Sequence, residues 1–251
     1  MTSAIEPPWY RLGYVSPHPV VDTLAFELYR MAPPGLMVAT AGMEIADYTP
    51  AAVEQQLPVF RHLAELLTER HVNRIVLSGV PIAVALGRQR VQSLLAEVHA
   101  GSKVPVDTDL EAIIAGAGRL GIRRVALGTR WEAPLNEGLA AYLGEAGIEV
   151  VDVVSAGRSM RNNAALDDAT GMRLALELGR AAFASATRPD GVILPGGRWV
   201  AAHAIPILEA EFGRPVLLNY PCGLWAALRD HGYTGDLGGW GTLLGTLKDS
   251  R

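Results

Sequence analysis

The sequence predicts an α/β fold built on parallel sheets, and two observations carry that expectation. Short apolar runs rich in Val, Ile and Leu alternate with longer amphipathic stretches. Such runs suit strands buried on both faces, as parallel sheets covered by helices require. A strand-glycine segment also occurs twice: Asn73-Arg-Ile-Val-Leu-Ser-Gly-Val-Pro81 aligns without gaps on Asp190-Gly-Val-Ile-Leu-Pro-Gly-Gly-Arg198. The repeat pairs Gly79 with Gly196 and points to two related halves.

In chain order, the expected strands are Leu12 to Val15, Leu36 to Ala39, Arg74 to Leu77, Val104 to Val106, Arg124 to Leu127, Glu149 to Val154, Gly191 to Leu194 and Pro215 to Leu218. The clearest helix runs from Pro50 to Arg70, where Val53, Leu57, Phe60, Leu63, Leu66 and Leu67 recur at helical spacing. Thr49 is placed to cap it, with Pro50 at the first helical position. Further helices are expected over Gln89 to His99, Leu110 to Arg119, Pro134 to Glu145, Asp168 to Ala184, Val200 to Phe212 and Leu224 to Asp230. In open α/β sheets ligands collect beyond the carboxyl ends of the strands, so the loops after Leu77 and Leu194 are where a site is expected.

Composition narrows the function classes. The 251 residues are 49% hydrophobic and 19% charged, enough apolar material for a large core. A formal net charge of −4 gives no basic footprint for nucleic acid, and no apolar run approaches the ~20 residues that span a bilayer. The first residues, Met1 to Trp9, lack the basic and apolar stretches of a signal peptide, so a cytoplasmic location is expected. Cys222 is the one cysteine, which excludes an intrachain disulfide and a cysteine zinc cluster. It lies where a helix is expected to begin, a position that favours thiolate, and it reads equally well as a small buried hydrophobe.

Several segments together resemble the aspartate/glutamate racemase superfamily, in the branch of arylmalonate decarboxylase and maleate cis-trans isomerase. They are Leu12-Gly-Tyr-Val-Ser-Pro17, Arg74-Ile-Val-Leu-Ser-Gly79, Arg119-Leu-Gly-Ile-Arg-Arg-Val-Ala-Leu-Gly-Thr129, Leu135-Asn136, Leu139-Ala-Ala-Tyr-Leu143, Asp190-Gly-Val-Ile-Leu194, Ala204-Ile-Pro206, Gly213-Arg-Pro-Val216, Pro221-Cys-Gly-Leu-Trp225 and Gly239-Trp-Gly241. No piece is specific alone; their order along nearly the whole chain is. The resemblance implies two flavodoxin-like halves related by a pseudo-twofold axis, residues 1–118 plus 217–251 and residues 119–216, with the active site in the cleft between them. It also implies chemistry on small carboxylic acids without a cofactor.

The departures from the family pattern matter as much. The two cysteine positions that the resemblance implies fall on Gly79 and Gly196, neither of which can move a proton. The decarboxylase hydroxyl pair becomes Val80 and Pro81, and Pro81 lacks an N–H as well. The phenolic donor position holds Trp131, and the Thr/Ser-rich carboxylate turn becomes Asp107-Thr108-Asp109. Cys222 matches a small residue of a structural turn, which demotes it as a nucleophile.

The polar inventory that remains supplies the candidates. His18 is an acid, base or carboxylate donor, unless it is an ordinary loop histidine. Asp107 and Asp109 are an acid/base pair or contacts for a substrate amine or hydroxyl, unless Asp107 or Thr108 caps the helix that follows. Arg130 and Arg198 end strands of the second half, where guanidinium forks suit a carboxylate; pairing with surface acids is the alternative. Gly79, Gly196 and Gly197 offer backbone N–H groups to anionic oxygen. Trp131, Met43 and Tyr220, with Trp199, form an apolar wall or simply pack, and Pro17, Thr129, Val80 and Pro81 complete the expected lining. No metal spacing is present.

The function expected from these residues is a divergent, cofactor-independent isomerase or carbon-carbon lyase for a small carboxylate-bearing metabolite. A homo-oligomer is compatible with it. The two glycines equally fit a ligand-binding or regulatory paralogue that kept the cleft and lost the chemistry.

Overall fold

The computed structural model describes residues 7–249 and contains two four-stranded parallel sheets. The first holds β1 (Tyr10–Ser16), β2 (Leu36–Gly42), β3 (Arg74–Leu77) and β4 (Val106–Thr108) in the order β2-β1-β3-β4. The second holds β5 (Arg124–Trp131), β6 (Glu149–Arg158), β7 (Gly191–Ile193) and β8 (Val216–Leu217) in the order β6-β5-β7-β8. Counted within each half, both orders are 2-1-3-4. The repeated segment lies on β3 and β7, the third strand of each, so the repetition read in the sequence is one of architecture.

Helices join the strands as parallel crossovers demand. They are α1 (Thr23–Met31), α2 (Pro50–Glu69), α3 (Val80–Leu86), α4 (Arg88–Ser102) and α5 (Asp109–Arg119) in the first half. Then come α6 (Ala133–Glu145), α7 (Met160–Ala164), α8 (Asp168–Phe183), α9 (Ala204–Phe212), α10 (Asn219–Asp230) and α11 (Thr242–Gly245). Thr49 caps α2 by accepting the Ala52 N–H, and Thr108 caps α5 by accepting the Glu111 N–H. Two expectations shift here. The helix expected from Val200 begins at Ala204, and the one expected from Leu224 begins at Asn219, which puts Cys222 inside the first turn of α10.

Three apolar layers hold these elements. Val15, Ile75 and Leu77 face Val53, Phe60 and Leu94 of α2 and α4 on the outside of the first sheet. Ala126, Val192 and Leu194 face Ala175, Phe183 and Leu208 of α8 and α9 on the outside of the second. The middle layer is shared: Leu12, Tyr14 and Val76 from the first sheet meet Leu127, Trp131 and Ile193 from the second through Leu110, Ile113, Leu224 and Trp225 of α5 and α10. This common core fixes one sheet against the other, so the loops at their carboxyl ends converge.

Candidate active site

A cavity of about 280 Å³ lies at that convergence. Its lining comes from the carboxyl ends of the strands: Tyr14 and Ser16 of β1, Ser78 and Gly79 after β3, Arg130 and Trp131 of β5, and Gly196 to Arg198 after β7. Pro17, His18, Val80, Pro81 and Tyr220 also face it. Val20, Val21, Ile45, Ala46, Tyr48 and Met160 add an apolar mouth. Eleven of the sixteen residues singled out from sequence therefore meet in one place; Trp199 packs in the outer layer behind the second sheet, and Asp107, Asp109, Met43 and Thr129 do not line the cavity either.

Each of those four has a structural reason. Asp107 sits on β4, and its carboxylate takes Nη2 of Arg74 at 2.8 Å across the sheet while its other oxygen accepts the Thr108 N–H. Met43 packs in the outer layer behind the first sheet. Thr129 is fully buried and donates to Asn136 Oδ1 at 2.8 Å. Asp109, at the first position of α5, lies just beneath the cavity floor, touching it only through Tyr14, Ser78 and Gly79.

The positive charge in the cavity is not balanced by its own lining. Arg130, Arg161 and Arg198 face it, against Asp22 alone among acids. Arg130 is the buried one, at 3% exposure. Its Nη2 donates to Gly197 O at 2.7 Å and its Nη1 to Arg198 O at 3.4 Å, the guanidinium lies over the Trp199 ring at 4.5 Å, and Nε has no partner. Among the described residues no carboxylate pairs with it. Burial, with Arg158 and Arg198 nearby, pushes its pKa down to about 9, so it stays charged at neutral pH but lacks a counter-ion. Arg198 holds its backbone in the left-handed region at φ 59°, an unusual conformation for a non-glycine residue that the carbonyl contacts from Arg130 brace.

His18 occupies the mouth. Its Nε2 lies 3.3 Å from the Tyr48 hydroxyl, and burial followed by the Arg198 charge lowers its pKa, so the imidazole is neutral near pH 7. Tyr220 faces the cavity from α10, and burial raises its phenol.

Of the three glycines expected to offer backbone N–H groups to substrate oxygen, Gly79 and Gly196 have theirs occupied internally, while Gly197 faces the cavity. Gly79 N–H donates to Asp109 Oδ2 at 3.0 Å, and Gly196 N–H donates to Asn219 Oδ1 at 2.9 Å. Both turns point their donors into the protein, which corrects the expectation of a backbone anion cradle there. Cys222 is likewise removed from the chemistry: it has 0% exposure and burial raises its thiol pKa, overriding the helix terminus.

Tyr14, Ser78 and Asn219 around Asp109, and Ser16, Asp22, Tyr48 and Arg161 in the lining, are polar residues that reading the sequence missed. Tyr14 sits within the buried strand β1 and Ser78 directly after β3, and buried polar groups need partners. That mismatch between a buried position and a polar side chain was the available signal. Among the described residues no group of three or more His, Cys, Asp or Glu is arranged to hold a metal ion, and no helix is long and apolar enough to cross a membrane.

Known proteins share this fold. Residues 17–244 match the family described as arylmalonate decarboxylase. The arylmalonate decarboxylase of Bordetella bronchiseptica is 28% identical over 197 residues, covering 78% of this chain and 80% of that one. The structure of unliganded arylmalonate decarboxylase superposes with a TM-score of 0.81 at 27% identity, over 94% of this chain and 98% of that one. The maleate isomerase of Pseudomonas putida S16 gives 0.80 at 22% identity, over 95% and 99%, a likeness of fold. With a match that spans most of its length and a cleft between two equivalent halves, the chain belongs to the arylmalonate decarboxylase family.

Proposed function

We propose that the cavity carries out isomerase- or lyase-type chemistry on a small carboxylic acid, with decarboxylation of a malonate-type acid as the first reaction to test. The observation that carries this reading is Arg130: a buried cation on the cavity wall with no carboxylate of its own. A substrate carboxylate supplies the missing counter-charge, and Arg198 at the rim adds a second cation.

The remaining walls suit the chemistry. A second carboxylate on the substrate would face Val21, Ile45, Pro81 and Met160, where it loses hydration. Carbon-carbon cleavage releases carbon dioxide and leaves the electron pair as an enediolate, whose oxygen charge Arg130 stabilises. The new carbon-hydrogen bond then needs a proton. His18 at the mouth supplies it after taking a proton from solvent, since only the imidazolium form can donate.

Phenylmalonate and maleate are the probes, with thermal shift for binding and proton NMR in deuterium oxide for turnover. Binding raises the melting temperature with ligand concentration, and decarboxylation places deuterium at the new C–H position. Arg130→Met is expected to abolish both effects while leaving the unliganded protein at least as stable, since it removes an unpaired buried charge. A wild-type protein that neither binds nor converts either acid would sink this reading.

A further inference from the structure

Asp109 is the most deeply buried acid beside the cavity, at 1% exposure, and among the described residues no cation pairs with it. Its two oxygens have unequal surroundings. Oδ2 accepts from Ser78 Oγ at 2.8 Å, Gly79 N at 3.0 Å and Asn219 Nδ2 at 3.0 Å. Tyr14 Oη lies 3.2 Å from Oδ1 and 3.3 Å from Oδ2, and among the described residues Oδ1 has no other donor. Tyr14 Oη in turn lies 2.7 Å from Ser78 Oγ. Of this group, Tyr14 and Ser78 reach the cavity and Asp109 does not.

That asymmetry dictates where a proton sits. Three donors saturate Oδ2, so a proton on Asp109 belongs on Oδ1 and points at the Tyr14 oxygen. The phenol, receiving that hydrogen bond on its oxygen, delivers its own proton by turning it from Ser78 Oγ, to which it donates at 2.7 Å, toward the cavity. Burial raises the Asp109 pKa and opposes the donors and the helix N-terminus, which favour carboxylate. The other titratable side chains facing Asp109 are Tyr220 and Cys222 of α10, both pushed up by burial and therefore neutral.

We propose that Asp109 and Tyr14 form a proton relay on the cavity floor, in which Tyr14 delivers the proton to substrate carbon and Asp109 replaces it. The inference rests on the carboxylate reading of the cavity. As the step is written, the Tyr14 O–H bond breaks and a carbon-hydrogen bond forms on the enediolate. The Asp109 Oδ1–H bond breaks and the Tyr14 O–H bond re-forms. Asp109 is left as a carboxylate held by Ser78, Gly79 and Asn219, and solvent returns its proton after product leaves. Ser78 and Asn219 are positioning residues. One proton is consumed per turnover; in the relay Tyr14 gives it to carbon from the floor, and His18 at the mouth exchanges protons with solvent.

The test compares wild type, Tyr14→Phe, Asp109→Asn and Ser78→Ala with phenylmalonate in water and deuterium oxide, measuring kcat against pH, calorimetric Kd and folding by circular dichroism. Tyr14→Phe and Asp109→Asn should each lower kcat by roughly 10²- to 10⁴-fold with Kd changed by less than about threefold. Wild-type kcat should fall with rising pH as Asp109 loses its proton, and that limb should vanish in Asp109→Asn. Wild-type kcat in Tyr14→Phe, or an unchanged pH profile in Asp109→Asn, overturns the relay alone. If Asp109→Asn does not fold, Tyr14→Phe, which loses one oxygen atom, decides. A wild-type protein that neither binds nor converts phenylmalonate or maleate removes the carboxylate reading and the relay with it.

Discussion

Gly79 and Gly196, which occupy equivalent turns of the two halves, are joined by a buried hydrogen-bonded bridge. Gly79 N–H donates to Asp109, Asn219 Nδ2 donates to the same carboxylate oxygen, and Asn219 Oδ1 accepts the Gly196 N–H. Both glycines have positive φ, 113° and 97°, so each turn is one that L side chains rarely adopt. The bridge fixes the two turns relative to each other and thereby sets the spacing of the cavity walls.

Asn219→Leu keeps the approximate volume and removes both halves of that amide. It leaves the Gly196 N–H buried without a partner and Asp109 short of one donor, at about 1–3 kcal/mol for each group. For a chain of this size the melting temperature should drop by about 2–4 °C per kcal/mol, read by scanning calorimetry. Asn219→Asp should be worse at pH 8, because it sets a second carboxylate against Asp109, and its penalty should shrink on acidification. Wild-type stability in both variants would remove the bridge as a structural element.

Glu27 ties α1 to the segment that follows Arg198. It is 3% exposed and accepts the N–H groups of Ala201 and Ala202 at 2.7 and 2.6 Å, yet burial outweighs those donors and pushes its pKa up to about 7. With the folded value above the unfolded one, the folded state holds the proton between about pH 4.5 and 7 where the unfolded chain has released it. Its stabilising contribution is full below that window and lost as pH rises through it, on the order of 3 kcal/mol. Glu27→Gln keeps an acceptor without the charge. Relative to wild type, it should gain stability as pH rises from 5 to 8, and thermal melts across that range check the sign.

The strands were legible because parallel-sheet strands are buried on both faces and read as unbroken apolar runs; all eight fall where expected, with ends shifted by a few residues. The helix α3 was not, because Pro81 reads as an interruption although a proline fits the first turn of a helix. Asp107 and Asp109 could not be told apart for a related reason. Thr108 is where strand gives way to helix, and the change of direction sends Asp107 to Arg74 and Asp109 to the cavity floor. Tyr14, Ser78 and Asn219 come from positions 14, 78 and 219, and only the folded sheets bring them to one carboxylate. Arg130 was found because a guanidinium at a strand's carboxyl end already has the right chemistry in the right place.

The same two turns predict how the protein would accept cysteine at the positions where the family resemblance implies it. A Cβ on Gly79 would meet the flexible end of Ile82 at 3.1 Å, whereas a Cβ on Gly196 would lie 2.6 Å from Cζ2 of Trp131 and 3.1 Å from Arg130 Nη2. Both substitutions carry a positive-φ penalty of about 1–3 kcal/mol. Gly79→Cys should lose little more than that, while Gly196→Cys must also displace the indole and the guanidinium. Trp131 thus fills the space that a side chain at 196 would need. Trp131→Tyr, which trims the ring, should recover part of the loss when combined with Gly196→Cys, giving a favourable coupling of about 1 kcal/mol or more in a double-mutant cycle of urea unfolding. Additive effects would mean that the indole relaxes freely, and that glycine at 196 is set by its backbone conformation alone.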